Sequence, residues 1–378
     1  MSRSTTRVAL PASAARILAP LAGEARRRKV ELYVVGGAVR DWLLKRPCFD
    51  LDLAVVGDPG PVAKAAARLL SGRVEAFGRF STRRILSKGS FRVDVAATRA
   101  ESYPEPACLP VVGELAVPIE VDLFRRDFTI NALAVRLDDG SRALVDAYGG
   151  RRDLQDRVLR VLHPASFRDD PTRVFRAARF LGRFKHRPAP GMVDEAKAAL
   201  AAGHAAKLSP HRLLHELVCL LEEADPGPAF AMLASWKYLD LLDPDLSWRR
   251  GLPSGAQPRL AALAAALGPV KGRRFVDAFP HEHRLRVQLH EVLDLAFDDK
   301  SPRTDPSDFV AAAVRRARPG LAPAALKGCF LRGSDLIAAG LKPGPAFHKM
   351  LDEAARRQRS GRLRTRAAAL SWLSAKAR

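Results

Sequence analysis

The chain has 378 residues and a formal net charge of +22, so it is strongly basic and long enough for about two to four domains. The excess of Lys and Arg favours a polyanionic partner, although biased codon usage would also enrich Arg and Ala along the whole chain. No apolar run approaches the ~20 residues of a membrane span, no signal-peptide core is found in the first ten residues, and four separated cysteines without a CxxC pair argue against a zinc site or a disulfide framework. We therefore predict a soluble cytoplasmic protein.

The first predicted elements form a phosphate-binding turn. The apolar run 32–35 predicts a strand that ends at Gly36 and Gly37, and a helix follows with Arg40 in its first turn. Glycines let the backbone approach a ligand closely, and the start of a helix favours phosphate. The turn is therefore a candidate site for the phosphates of a nucleotide.

A second predicted strand, 51–56, carries two carboxylates at its start. Asp50 and Asp52 are two residues apart, so their side chains point to the same face of the strand. Adjacent carboxylates repel each other unless a cation lies between them, and Mg²⁺ prefers oxygen ligands. Together with the glycine turn, this pattern indicates metal-dependent chemistry on a nucleoside triphosphate.

The next elements supply a third carboxylate. We predict, in chain order, a helix over 58–70 and strands over 83–86, 91–96 and 130–137, with a turn at Lys88–Gly89. If Val93 and Val95 face the core, Asp94 faces the opposite side of the sheet. If its strand also neighbours the strand of Asp50 and Asp52, three carboxylates converge. That arrangement fits the two-metal pattern of phosphoryl and nucleotidyl transfer, whereas Asp94 alone would be read as a solvated strand residue.

Polar groups flank the predicted strand at 130–137. Arg125 and Arg126 offer forked donors to phosphate oxygens, and Asp127 and Asn131 are candidates to hold ribose hydroxyls. The alternative is a surface salt-bridge cluster at the entry of a strand. The density of polar groups within an apolar frame favours a binding site.

After Gly150 the chain is almost entirely helical by its 3.6-residue spacing, so the predicted fold class is α+β with an α/β head and an all-α remainder. One of its helices opens at Asp170, which suits the N-cap, with Pro171 as the first helical residue. Capping alone explains Asp170 but not the arginines that recur every three residues at Arg173, Arg176 and Arg179. A carboxylate and a guanidinium together match the amino donor and ring-nitrogen acceptor of cytosine or adenine.

The chain resembles the class II tRNA nucleotidyltransferase (CCA-adding enzyme) and bacterial poly(A) polymerase family, a branch of the polymerase-β-like nucleotidyltransferases. The motifs that carry the resemblance are 36–41 (GGAVRD) with Asp50 and Asp52, 125–132 (RRDFTINA), 146–150 (DAYGG), 169–173 (DDPTR) and 208–212 (LSPHR). They lie in the family's order over roughly residues 30–225. Two positions depart from the family pattern, Asp169 in place of Glu and 209–212 (SPHR) in place of Ser-x-Glu-Arg. The segment 98–106 lacks the paired basic residues of many CCA-adding members, which leaves the range of nucleotides open.

The resemblance implies specific roles. Two Mg²⁺ ions would be held by Asp50 and Asp52, with Asp94 as the third acidic residue. The triphosphate would be faced by Arg40, Arg126 and Arg176, and the ribose by Asp127. CTP or ATP would be selected by Asp170 and Arg173 without a nucleic-acid template. The implied domains are a catalytic head (1–150), a neck that recognises the base (151–230), a helical body (231–310) and a basic tail that binds tRNA (311–378). Independently of the resemblance, the polar and Pro-containing stretch 298–306 predicts a linker or long loop.

The tail favours tRNA as the acceptor. Gly340 and Gly344 around Lys342 predict a tight turn between helices whose backbone N–H groups would contact a phosphate, and Arg364 and Arg366 follow a basic helix. The alternative is an ordinary connection between helices. The whole segment resembles the C-terminal domain with which tRNA nucleotidyltransferases grip the tRNA elbow. A second cluster, His281, His283 and His290, lacks metal-binding spacing, and we interpret it as surface residues.

We therefore predict a template-independent tRNA 3′-end nucleotidyltransferase that adds C, A or both from CTP and ATP and releases pyrophosphate. The alternatives are a poly(A) polymerase, an enzyme that adds only CC or only A, and an inactive RNA-binding relative. Intact Asp50, Asp52, Asp94 and Arg126 argue against the inactive relative. No membrane association and no obligatory protein partner are expected.

Overall fold

The structure of the protein is a computed structural model that describes residues 6–77, 82–89, 91–298, 300–302 and 304–377. The chain divides into two units, the first ending at Leu208 and the second beginning at Ser209. No helix among the described residues is both long and apolar enough to cross a membrane. The four cysteines are free thiols.

The described residues of the first unit form helices and three sheets. Its helices are α1 (Ala12–Arg28), α2 (Gly37–Leu43), α3 (Gly60–Leu69), α4 (Ile119–Phe124), α5 (Gly150–Gln155), α6 (Ser166–Asp169), α7 (Thr172–Phe184) and α8 (Met192–Ala201). Its strands are β1 (Glu31–Val35), β2 (Asp50–Val56), β3 (Arg73–Phe77), β4 (Thr82–Leu86), β5 (Arg92–Ala97), β6 (Arg99–Ser102), β7 (Val111–Leu115), β8 (Ala134–Arg136), β9 (Leu144–Val145), β10 (Val158–Leu159) and β11 (Arg187–Pro188).

A seven-stranded mixed sheet places the site. Its strand order is β3-β4-β5-β2-β1-β8-β9, in which β2 and β5 pair in parallel and the other neighbours pair antiparallel. Strand β2 alternates as expected for a sheet with one packed face, because Leu51 and Leu53 are buried while Asp50 and Asp52 are exposed. The same alternation on β5 buries Val93 and Val95.

The structure confirms most of the predicted elements and corrects others. The helix predicted over 58–70 is α3, and the strands predicted over 83–86 and 91–96 are β4 and β5. The strand predicted over 130–137 is wrong at its start: 129–131 forms a 3₁₀ turn and the strand begins at Ala134. Its residues Ile130 to Leu133 are all buried, and continuous burial removes the alternation that tells a strand from a turn. The prediction also omitted α1, β3 and the β6–β7 hairpin.

The second unit is helical over its described residues, as predicted. Its helices are α9 (Pro210–Leu221), α10 (Gly227–Ser235), α11 (Ala256–Ala266), α12 (Gly268–Ala278), α13 (His283–Phe297), α14 (Asp308–Ala317), α15 (Gly333–Ala338), α16 (Pro345–Arg359) and α17 (Arg366–Ala377). The long loop predicted over 298–306 falls between α13 and α14, with Asp299 and Arg303 outside the described residues. The boundaries at 230 and 310 stay predictions.

The tail segment has its own small core. Leu336, Leu363 and Leu373 pack together between α15, α16 and α17. The buried Gln358 ties the preceding loop to this core, since its amide nitrogen donates to the carbonyl oxygens of Ala324 (2.9 Å) and Lys327 (3.0 Å).

One histidine differs from the prediction of surface residues. The side chain of His281 packs near Phe279, and within the described structure neither of its buried ring nitrogens has a hydrogen-bond partner. Burial and the nearby Arg286 and His290 lower its pKa. A neutral imidazole in that setting acts as an apolar packing group.

Candidate active site

The three predicted carboxylates lie on one face of two neighbouring strands. Because β2 and β5 pair in parallel, Asp52 stands directly opposite Asp94, and Asp50 stands opposite Arg92. The Asp50 side chain is 67% exposed and that of Asp94 13% exposed, so the group runs from solvent into a partly enclosed position. The predicted convergence of the strands is confirmed, while the catalytic roles stay predictions.

Two arginines contact these carboxylates. Arg84 on β4 donates to both oxygens of Asp94, from Nε at 2.9 Å and from Nη2 at 3.0 Å. Arg92 lies 3.8 Å from a carboxylate oxygen of Asp50 and 3.8 Å from one of Asp94. Sequence reasoning did not assign either residue to the site, although Arg92 stands two residues from Asp94 on the same face of β5.

The electrostatics of Asp52 suit a cation. Removal of water raises the pKa of Asp52, and Asp94 and Asp50 add to that rise by repulsion, while Arg126 and Arg92 oppose it. Among the described residues, no three His, Cys, Asp or Glu side chains are arranged to enclose a metal by themselves. A cation held by Asp50 and Asp52 would take its remaining ligands from substrate phosphates and water, which is the coordination that Mg²⁺ prefers.

The glycine turn lies beside an arginine. Gly36 has a positive φ of +74°, and a Cβ added there would lie 2.8 Å from Nη1 of Arg126. The N–H of Gly36 donates to the carbonyl of Leu133 at 2.9 Å, which fixes the turn against the segment that follows the 3₁₀ turn. The positive φ favours glycine at position 36, and a side chain there would also force the flexible guanidinium end of Arg126 to move.

The guanidinium of Arg126 is only partly satisfied by hydrogen bonds within the described structure. Its Nη2 donates to Asp122 at 3.1 Å, and its Nε is buried with no hydrogen-bond partner among the described residues. Burial would raise the pKa of Asp122, but Arg126 and Arg125 outweigh burial and lower it. Sequence reasoning missed Asp122, and its signal was the four-residue helical spacing to Arg126.

A chain of hydrogen bonds joins the glycine turn to α7. The guanidinium of Arg40 donates to both carboxylate oxygens of Asp41 and, at 2.6 Å, to Oδ1 of Asn131. The amide of Asn131 donates to Asp127 at 2.9 Å, and Arg176 donates to the other Asp127 oxygen at 2.9 and 2.6 Å. Arg40 and Asp127 are buried. The side chains predicted to contact the triphosphate and the ribose therefore lie close together. Arg40, Asn131, Asp127 and Arg176 are linked by hydrogen bonds.

Helix α7 begins two residues after Asp170. The structure confirms the predicted capping role of Asp170, whose backbone is extended (φ −137°, ψ 91°), and Pro171 is already helical (φ −64°, ψ −14°), although the regular helix starts at Thr172. Proline has no side-chain acceptor, so Asp170 supplies one instead: its carboxylate accepts from the N–H of Thr172 at 3.0 Å and from its hydroxyl at 2.6 Å. The rigid ring of Pro171 places that carboxylate at the helix start.

Two of the α7 arginines are buried rather than on an open face. Arg173 donates to Ser166 Oγ at 2.7 Å, to the carbonyl of Arg125 at 2.9 Å and to the hydroxyl of Tyr103 at 3.3 Å. Arg179 is also buried, with its guanidinium 5.8 Å from the ring centre of Phe180. Sequence reasoning missed Tyr103, which lies in the connection between β6 and β7 and brings that hairpin to α7.

The predicted RNA-binding residues of the tail lie in the second unit. Lys342 is exposed after Gly340, whose φ of +83° makes the tight turn expected there. Gly344 has an extended backbone that any residue adopts, so its conformation does not require glycine. Arg364 donates to the carbonyl of Gly361 at 3.2 Å, and Arg366 donates to Phe330 O at 2.7 Å and to Asp335 at 2.6 Å.

Comparison with known proteins agrees with this arrangement. Residues 32–160 match the family model described as the Poly A polymerase head domain, which defines the class: a nucleotidyltransferase head on a helical remainder. The chain is 34% identical over 346 residues to the CC-adding tRNA nucleotidyltransferase of Deinococcus radiodurans, covering 89% of this chain and 86% of that protein. The chain belongs to the class II tRNA nucleotidyltransferase family, and this membership implies dependence on a divalent metal.

Other similarities are more local or concern the fold. The A-adding tRNA nucleotidyltransferase of Geobacter sulfurreducens is 41% identical over 219 residues, which is 58% of this chain and 25% of that protein. The chain spans between 23% and 51% of the length of three A-adding relatives. A solved apo form of a CCA-adding enzyme matches with a TM-score of 0.72 and 25% identity, over 97% of this chain and 96% of that one.

Proposed function

We propose that the protein is a template-independent tRNA 3′-end nucleotidyltransferase that adds C, A or both from CTP and ATP. The observation that carries the proposal is the placement of Asp52 opposite Asp94 on parallel strands, with Asp50 on the same face and Arg126 beside the glycine turn. Relatives that act on tRNA ends support the acceptor, and the high positive charge suits an RNA partner.

Asp50 and Asp52 are proposed to hold two Mg²⁺ ions. When bound, the ions would supply activation of the RNA 3′ hydroxyl and neutralisation of phosphate charge. The hydroxyl oxygen forms a bond to the α-phosphorus, the bond from that phosphorus to the bridging oxygen breaks, and pyrophosphate leaves with the electron pair. Asp94, opposite Asp52, is proposed to receive the hydroxyl proton.

The nucleotide is proposed to lie between the glycine turn and α7. Arg126 has a buried Nε without a partner in the described structure, which makes it the best placed donor for the triphosphate. Arg40, Asn131, Asp127 and Arg176 already bond to one another, so they are proposed to fix the shape of the ribose and phosphate site.

Recognition of the base is proposed to depend on the start of α7. Asp170 accepts the exocyclic amino group of cytosine or adenine, and Arg173 donates to the ring nitrogen beside it. Arg173 is buried and donates to three groups, which gives it a fixed position for discriminating nucleotides.

The tail is proposed to grip tRNA through Lys342, the turn at 340–344 and Arg364, within the four-domain plan of head, neck, body and tail. Arg366 is proposed to support this surface through Asp335. A cytoplasmic location fits these substrates.

The test uses three acceptors: tRNA lacking the whole CCA end, tRNA ending in CC, and an unrelated RNA of similar length. Each is incubated with one labelled nucleotide at a time, and the product length is read at single-nucleotide resolution. Addition of C or A to the matching tRNA, and none to the unrelated RNA, is the expected result. Long A-tails on the unrelated RNA would identify a poly(A) polymerase instead.

The same experiment separates the narrower activities. A CC-only enzyme is the second candidate, because the relative from Deinococcus radiodurans that matches nearly end to end is CC-adding. Incorporation of C into the first acceptor with no A added to tRNA ending in CC would establish it. Incorporation of A into tRNA ending in CC, with no C added to the first acceptor, would establish an A-adding enzyme.

A further inference from the structure

We propose that a basic cavity on the β3–β4–β5 side of the carboxylates binds the 3′-terminal phosphates of the acceptor RNA. The inference rests on the proposed function and goes beyond it, because it says where the acceptor strand enters. The cavity has a volume of about 780 Å³ and opens between the end of α3, the β3 and β4 strands and the start of β5. This volume lies within the range of about 300–1,000 Å³ typical of ligand sites.

The charge of the cavity points to an anion. Among the described residues that line it, the charged ones are all basic: Arg73, Arg84, Lys88 and Arg92. Arg73, Lys88 and Arg92 are exposed to solvent. Arg84 and Arg92 are partly compensated by Asp94 and Asp50, whereas Arg73 and Lys88 add exposed positive charge, so the cavity attracts a polyanion that releases counterions from its own backbone on binding.

The cavity is continuous with the catalytic carboxylates. Arg84, which lines it, donates to both oxygens of Asp94, and Arg92 lies 3.8 Å from both Asp50 and Asp94. A phosphate held in the cavity therefore lies one side chain away from the carboxylate that we propose to receive the hydroxyl proton. The phosphates near the 3′ end of the acceptor RNA would therefore position its terminal nucleotide beside the carboxylates.

The geometry of the reaction gives an independent reason for this side. In an in-line displacement the attacking and leaving oxygens lie on opposite sides of the phosphorus. The glycine turn and Arg126, the proposed triphosphate site, lie towards β1, and the sheet order then runs β2, β5, β4 and β3. If pyrophosphate leaves on the β1 side, the 3′ hydroxyl must approach from the β5 side, where the cavity opens.

The first arm of the experiment tests whether the cavity residues contribute to tRNA binding. In the full-length protein, Lys88→Glu and Arg73→Glu should raise the KM for tRNA lacking CCA about tenfold and leave the KM for CTP unchanged. The matched control is Lys64→Glu, a reversal of the same charge at an exposed position of α3 that does not line the cavity, and it should change neither constant. Each lost phosphate contact should also flatten the dependence of log affinity on log salt by about 0.7.

The second arm needs no variant. A photoreactive 4-thiouridine near the 3′ end of tRNA lacking CCA should crosslink to wild-type peptides within 70–73 or 84–92. Crosslinks confined to other peptides, or an acceptor KM unchanged in both cavity variants, would overturn the inference while wild-type activity upholds the proposed function. A raised KM for CTP alone would assign the cavity to the nucleotide and would also overturn it. If wild-type protein extends no RNA, the proposed function itself fails.

Discussion

The cations on the two sides of the carboxylates are organised differently. On the side we call the nucleotide flank (Arg40, Arg126, Arg173 and Arg176), Arg40 and Arg173 are buried, and all four donate to protein acceptors. On the acceptor flank (Arg73, Arg84, Lys88 and Arg92), three of the four are exposed around an open cavity. Buried pairs hold a fixed geometry, whereas exposed cations provide attraction that salt screens. The two flanks therefore suit two tasks, selecting one nucleotide and attracting any RNA end.

The largest expected loss of activity results from substitution of Asp52, which lies between the two flanks. Asp52→Ala should reduce nucleotide incorporation by about 10³-fold or more, because a metal site supplies several kcal/mol of transition-state stabilisation and each ~1.4 kcal/mol is tenfold. Single-turnover rates measure the loss, and tRNA binding at low salt should persist because the residues that we propose to contact RNA do not include Asp52. Asp156→Ala removes an exposed carboxylate that pairs with Arg152 and serves as the control. Near-normal incorporation by Asp52→Ala would contradict the metal assignment.

Loss of a buried ion pair in the nucleotide flank should destabilise the fold more than loss of an exposed ion pair elsewhere in the first unit. Arg176→Ala leaves Asp127 buried without its closest cation, and such a loss costs about 3–5 kcal/mol at a fully buried pair and less here, since Arg176 is itself 35% exposed. Arg152→Ala, at an exposed pair, should cost at most about 1 kcal/mol. Thermal midpoints of the two variants measure the difference, and equal midpoints would contradict the distinction between buried and exposed pairs.

Acid should also weaken the nucleotide flank. Burial would raise the pKa of Asp127, but Arg176, Asn131 and Arg173 outweigh burial and lower it, and the pKa of Asp122 is lowered by Arg126 and Arg125 in the same way. Both carboxylates therefore stabilise the fold above their unfolded pKa of about 3.9, and this contribution disappears as the pH falls through their lower folded values. The midpoint temperature of thermal unfolding should decrease as the pH is lowered below about 4, and this decrease should be less steep in Arg176→Ala. Identical slopes would show that the Asp127 pair does not contribute.

The smallest expected effect is that of Tyr103→Phe, which tests whether the β6–β7 hairpin contributes to nucleotide selection. Tyr103→Phe removes the hydroxyl that accepts from Arg173 at 3.3 Å but keeps the ring, whose centre lies 5.6 Å from the guanidinium. The loss of one hydrogen bond to a charged group, at this long distance, should cost about 1 kcal/mol, or roughly fivefold, in discrimination between CTP or ATP and GTP or UTP. The ratio of kcat/KM values measures it. A change in overall rate with the same ratio would show that Tyr103 supports folding rather than selection.

The site was predictable from sequence where spacing alone determines geometry. Asp50 and Asp52 share a face because strand side chains alternate, and Asp94 faces opposite to Val93 and Val95 for the same reason. Arg84 was not predictable, because its contact with Asp94 depends on the antiparallel pairing of β4 with β5. Tyr103 was missed because the contact joins residues 70 positions apart. The capping of α7 by Asp170 was predictable, because its carboxylate accepts from the N–H of Thr172, only two residues further along the chain.

The sequence by itself determined the order of the motifs, the alternation that exposes Asp50 and Asp52, the glycine at position 36 and the basic character of the chain. These features depend on neighbours within a few residues or on composition. Only the tertiary structure decided that Asp52 stands opposite Asp94, that Arg40 and Arg176 meet through Asn131 and Asp127, and that four cations gather around one cavity beside the carboxylates. Strand order and packing set those distances, and they bring together residues whose separation along the chain carries no local signal.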